Sequence, residues 1–226
     1  MALGRLLVGH GGERADGAVI TQARLYELGS RIGFLTRGRR YRELVRRSGA
    51  RPGDRVLDVG CGTGYLAGIA ARAVAPGGSV LGVDASESMV EYARGAVGTP
   101  SCRFEVGTAQ ALPAEDAAFD VVLSSLMLHH VPDTDQPAAL REMRRVLRPG
   151  GRLLLADFRP PTSRVARRLV GALTGPRMLD APDRRLVGLV RDTGFTVDDE
   201  GTLGILHYVS ATAASGEDSS ARRGSP

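Results

Sequence analysis

From residue 55 onward the chain repeats one pattern: a short aliphatic and β-branched run, a turn, then apolar residues three and four apart. The runs at 55–59, 79–83, 101–106, 119–124 and 152–157 predict strands, and segments 63–75, 86–96 and 136–147 predict helices. Strands that alternate with helices lie parallel, with helices on both faces of the sheet. The expected class is therefore α/β, a Rossmann-like doubly wound sheet.

On either side of this core the pattern changes. Leu25, Leu28, Ile32 and Leu35 give a helical period from Thr21, and a second helix is predicted over Arg40 to Ser48. Arg164 to Thr174 and Pro182 to Thr193 read as helices, the latter capped by Gly194. Two closing strands are predicted over Phe195 to Val197 and Leu203 to Ala211. The glycine-rich residues 1–20 and the Ser, Gly and charge-rich tail 214–226 are expected to be flexible, leaving one domain over 21–213. Within it, 21–50 forms covering helices, 51–157 the core and 158–193 an insertion.

The segment Val56-Leu57-Asp58-Val59-Gly60-Cys61-Gly62-Thr63-Gly64 concentrates the chemistry. A strand ends on an acid, three alternating glycines follow, and a helix begins. Such a turn lets backbone approach a ligand, with the helix N–H groups aimed at it. It is not a dinucleotide fingerprint: position 65 is tyrosine, where G-x-G-x-x-G needs its third glycine. Asp58 would repel a pyrophosphate and attract an ammonium group. Asp84, ending the next strand, can accept both hydroxyls of a ribose. A ribose, an amino-acid ammonium and a sulfonium are together the features of S-adenosylmethionine.

Four blocks in order extend this reading. They are Val56–Gly64; Val83-Asp84-Ala85-Ser86 with Met89; Phe119-Asp120-Val121-Val122 to Leu128-His129-His130-Val131; and Val146-Leu147-Arg148-Pro149-Gly150-Gly151. With them the chain resembles the class I S-adenosylmethionine-dependent methyltransferases, of the small ubiquinone/menaquinone-biosynthesis type, over residues 20 to 210. The resemblance implies a seven-stranded, mostly parallel sheet with an antiparallel C-terminal edge hairpin and N-terminal lid helices. It also implies methyl transfer to a small-molecule acceptor, with O- or C-methylation ahead of N-methylation. S-adenosylmethionine-assisted non-methyl chemistry and a catalytically silent cofactor-binding protein are the alternatives.

The candidate site follows residue by residue. Asp58, Asp84, Ala109 and Ser124 fall at the carboxyl ends of predicted strands, where parallel sheets bind ligands. Asp58 is expected at the cofactor ammonium, Gly60 and Gly62 at its backbone cradle, and Asp84 with Ala85 at the ribose. The resemblance places Met89 and the loop Thr108-Ala109-Gln110 at adenine, with Thr108 where relatives often carry aspartate. It also brings Tyr26 of the lid helix to the cofactor carboxylate. His129 and His130 sit where donor and acceptor meet and are the candidate bases, since imidazole titrates near neutral pH. His129 is expected to face the pocket. No metal ligand set is assigned.

Composition narrows the partners. The net charge is +5, and all 30 basic residues are arginine. The excess clusters between Arg141 and Arg191, where an anionic membrane or polyanion can dock, although a solvated helical face accounts for it better. With ten Tyr and Phe and no Trp, few platforms exist for stacking exposed bases, and no Pro-Cys or Asn/Asp-Pro-Pro-aromatic element is present. Nucleic acid is therefore disfavoured against a quinone, lipid or secondary metabolite. Two cysteines and no run of roughly 18 apolar residues fit a cytoplasmic setting with at most peripheral membrane contact. The oligomeric state is not legible.

Overall fold

The computed structural model describes residues 34–159 and 183–214. Residues 1–33, including Tyr26 and most of the first predicted helix, lie outside the described residues. So do the predicted helix at 164–174 and the tail from 215.

Seven strands form one sheet in the order β3-β2-β1-β4-β5-β7-β6. They are β1 (Arg55–Val59), β2 (Ser79–Asp84), β3 (Cys102–Val106), β4 (Phe119–Ser125), β5 (Leu147–Phe158), β6 (Phe195–Leu203) and β7 (Leu206–Ala213). β1 pairs parallel with both β2 and β4, β2 with β3, and β4 with β5. β7 runs antiparallel to β5 and β6, so the expected edge hairpin is present. The strand order reverses between β1 and β4, which opens a crevice at the carboxyl ends there.

Helices cover both faces. Alternation along the strands sends Val56, Val121, Leu123, Leu154 and Ala156 to one core, with Leu44 and Val45 of α1 (Phe34–Arg47), Leu66, Ala67 and Ala70 of α2 (Tyr65–Val74), and Val90 and Ala93 of α3 (Glu87–Val97). Leu57, Val59, Val122, Leu153 and Leu155 face the other core. There they meet α4 (Gln136–Val146) and α5 (Asp183–Asp192). α4 buries Gln136, Ala139, Leu140, Met143 and Val146, a stripe at helical spacing. α5 ends where Gly194 takes φ 87° and its N–H donates to Arg191 O.

The structure moves some predicted boundaries. α1 is continuous from Phe34 through Gly38, where a break between two helices was expected. β5 starts at Leu147 and β6 extends to Leu203, because pairing with β4 and β7 supplies ladder bonds that an apolar pattern does not reveal. Among the described residues no helix is long and apolar enough to cross a membrane.

Candidate active site

The tips of β1, β2 and β4 and the turns after them enclose a cleft of about 690 Å³, within the range of small-molecule sites. Main-chain bonds stitch the tips together: the Gly60 and Cys61 N–H groups both donate to Val83 O, and the Gly107 N–H to Asp84 O. Asp84 clamps the floor. Its Oδ2 accepts from the Gly62 N–H at 2.8 Å and its Oδ1 from the Ser86 N–H at 2.9 Å. Each oxygen keeps a further lone pair for a ligand. Ser86 begins α3 without a side-chain cap, so Asp84 orders this helix start as well as lining the cleft.

Asp58 is held differently. Alternation on β1 turns it toward the α2 side, where it accepts the Ala67 N–H of the first turn and is only 1% exposed. Its Oδ2 is buried without a hydrogen-bond partner. Burial first, with Asp84 repulsion a lesser cause, raises its pKa from the ordinary 3.8 to about 7. A buried carboxylate oxygen without a donor, in the wall of a cleft, is a seat for a cation.

The three glycines divide their duties. All take positive φ, which favours glycine. A Cβ at Gly60 would lie 2.2 Å from Met127 Cγ, and one at Gly64 would lie 2.6 Å from Val97 Cγ2. These two positions are closed by packing. A Cβ at Gly62 would meet nothing within 4 Å, so this is the backbone left open to a ligand.

Ala85, Met89, Thr108, Ala109 and Gln110 line the cleft. Two expectations at the end of β4 are corrected. Ser124 does not line it: the residue is 1% exposed and its hydroxyl donates to Val59 O at 2.8 Å, between strands. Ser125, one residue on, lines the cleft instead. Likewise His130, rather than His129, is in the wall. The turn Leu128–His130 sends successive side chains to different sides, and His129 is drawn away by Asp157 (Nδ1···Oδ1 2.6 Å). Desolvation, then His129, lowers the pKa of His130, which is therefore neutral at pH 7.

Sequence reasoning missed part of the wall. Tyr41 on α1 and Tyr65 at the start of α2 meet edge to face with centroids 5.5 Å apart, and both line the cleft. The spacing Tyr41, Leu44, Val45, Ser48 is an apolar helical stripe that marks Tyr41 as inward, but the surrounding arginines masked it. Leu126, also in the wall, holds φ 57°, a strained conformation for a branched side chain. Cys61 lines the cleft too, yet burial drives its thiol pKa far up, which agrees with a packing role. Tyr26 lies outside the described residues, and His207 is buried on β7.

These residues fit S-adenosylmethionine. The unpartnered Asp58 oxygen suits a cation, the spare lone pairs of Asp84 suit a diol, and Gly62 leaves room for close approach.

Comparison with known proteins agrees. A family model described as a methyltransferase domain matches residues 56–151. A demethylmenaquinone methyltransferase of Symbiobacterium thermophilum is 40% identical over 131 residues, 56% of this chain and 51% of that protein. A ubiquinone/menaquinone biosynthesis C-methyltransferase of Hahella chejuensis is 42% identical over 123 residues, 53% of this chain and 49% of that one. The chain thus spans about half the length of these curated relatives. Among solved structures, a SAM-dependent methyltransferase from Aquifex aeolicus shares the fold with a TM-score of 0.64 at 22% identity, over 77% of this chain and 89% of that one. Over residues 56–151 the chain is thus similar to a methyltransferase domain, the segment in which the likeness to the curated methyltransferases also lies.

Proposed function

We propose that the protein transfers a methyl group from S-adenosylmethionine to a small-molecule acceptor, at carbon or oxygen in preference to nitrogen. The observation that carries this reading is the pairing of two carboxylates, Asp58 and Asp84, at adjacent strand tips beside the open backbone of Gly62. When bound, the cofactor supplies an electrophilic methyl group with a good leaving group. The chain's own task is then to hold the acceptor in line and keep water out. His130 is the base we assign, because its imidazole is neutral at pH 7 and stands in the cleft wall. A base matters for an O–H or an acidic C–H and little for a free amine, which is why carbon or oxygen is favoured. The relatives named for quinone biosynthesis support the same preference, and an amphiphilic quinone-like acceptor is the first to test. A cytoplasmic location belongs to the same proposal.

The test is a methyl-transfer assay with labelled cofactor across phenols, quinols and lipids, paired with calorimetry. Asp84→Asn is expected to weaken cofactor binding by roughly 1.5–3 kcal/mol, the worth of charged hydrogen bonds to a diol. Unchanged affinity removes that role. Tight binding with no labelled product from any acceptor defeats the catalytic reading and leaves a binding protein.

A further inference from the structure

Asp157 has no part in the roles above, yet its surroundings are tightly specified. It stands near the end of β5, is 5% exposed, and faces the α4–α5 side of the sheet. Its Oδ1 is 2.6 Å from His129 Nδ1 and also accepts the Phe158 N–H at 2.6 Å. Its Oδ2 accepts the backbone N–H of His129 at 3.0 Å. One carboxylate thus grips both the ring and the main chain of one histidine. The His129 ring lies against that of His130, with centroids 4.0 Å apart and planes at 43°. His130 in turn lines the cleft.

We propose that Asp157 is a positioning residue for proton removal from the acceptor, holding His129 in its Nδ1–H form as the fixed plane against which His130 is presented. The proposal rests on the methyl-transfer reading. An ionised carboxylate only accepts, so the nitrogen it faces must carry the proton. The short, charge-assisted contact and the second bond to the main chain together leave His129 one rotamer and one tautomer. The proton leaving the acceptor's O–H or acidic C–H passes to neutral His130, which becomes imidazolium, while the electron pair left on the acceptor would form the new bond to the methyl carbon as the methyl–sulfur bond breaks and its pair stays on the departing neutral thioether. The charged and titratable groups acting on His130 are Asp84 from β2, Asp157 from β5 and His129 of its own turn. His207 of β7 is the register partner of Asp157 and shares its face of the sheet.

The experiment records ¹⁵N imidazole spectra of the unliganded wild type and Asp157→Asn, and pH–rate profiles of both with the best acceptor. His129 in the wild type should show the Nδ1–H signature. In Asp157→Asn an amide N–H can face Nδ1, and the signature should invert to Nε2–H. kcat should then fall by about 10²-fold, with a displaced acidic limb and an unchanged Kd for S-adenosylmethionine. A wild-type Nε2–H signature overturns the proposal, and decides it even if the variant does not fold. An inverted tautomer with wild-type kcat and pH profile overturns it equally, since a merely structural clamp would behave that way. A wild type that keeps the Nδ1–H signature but methylates nothing marks failure of the methyl-transfer reading, and the positioning role falls with it.

Discussion

Asp58 is the residue whose environment most constrains behaviour. Folding carries its carboxyl into a site with one backbone donor and an unpartnered oxygen, so the folded state holds the proton from the ordinary pKa of 3.8 up to about 7. In that window the folded state binds more protons than the unfolded, and stability falls as pH rises through it. Above pH 7 the cost levels off at roughly 4 kcal/mol. A bound cation repays it by favouring the ionised form. Asp58→Asn should therefore melt higher than the wild type at pH 8 without cofactor, and the two should converge near pH 4. The same variant should bind S-adenosylmethionine weakly and with little pH dependence, whereas wild-type affinity climbs toward neutral pH. Thermal melts and calorimetry at both pH values check this; a lower melting point for the variant at pH 8 refutes it. The acid itself was legible, being a charge at the end of an apolar strand. Its partnership with Ala67 was not, because that depends on where α2 begins in space. Asp157 carries the same signal as Asp58 and Asp84, an acid near the carboxyl end of a buried strand, and that signal went unused. Ser124 against Ser125, and His129 against His130, could not be told apart, since a one-residue change reverses the face.

Among the elements, α4 acts on the cleft from a distance. Arg145 donates to Glu142 and Asp116 and to the carbonyls of Ala114 and Leu112, while Glu142 accepts the Leu112 N–H at 3.0 Å. The helix edge thereby pins the segment between β3 and β4, which carries Thr108, Ala109 and Gln110 into the wall. The planar fork satisfies several acceptors at once, which lysine cannot reproduce. Because the side chain is 31% exposed, the loss in Arg145→Ala should be moderate, about 1–2 kcal/mol of stability. The sharper expectation is faster amide hydrogen exchange over 107–114, with cofactor affinity reduced about threefold to tenfold and no rescue by Arg145→Lys. Unchanged exchange there would show that the loop holds itself. Helical periodicity predicted α4 within one residue, but nothing in the pattern tied its arginine to a loop some thirty residues earlier.

At the scale of the molecule, the alternation of apolar runs and helical stripes was enough for the layered α/β class, and the strand order then follows a topology that collects the acids at one rim. What alternation could not supply was the fate of the basic excess. Among the described residues, four of the arginines that suggested a polyanion surface are drawn into pairs: Arg145 with Asp116 and Glu142, Arg148 with Asp120, Arg152 with Asp54, and Arg185 with Asp133. A guanidinium already facing a carboxylate gains little from a phosphate and releases few counterions on binding one. The acids are nearly as numerous as the arginines, 25 against 30, so the residual field is small. The protein should therefore bind duplex DNA or RNA only weakly, with a shallow dependence of log affinity on log salt, a slope of about −2 or less steep. Anisotropy titrations between low and physiological salt measure it. A slope near −5 would require about six phosphate contacts, more than these paired side chains can offer, and would return nucleic acid to the list of acceptors.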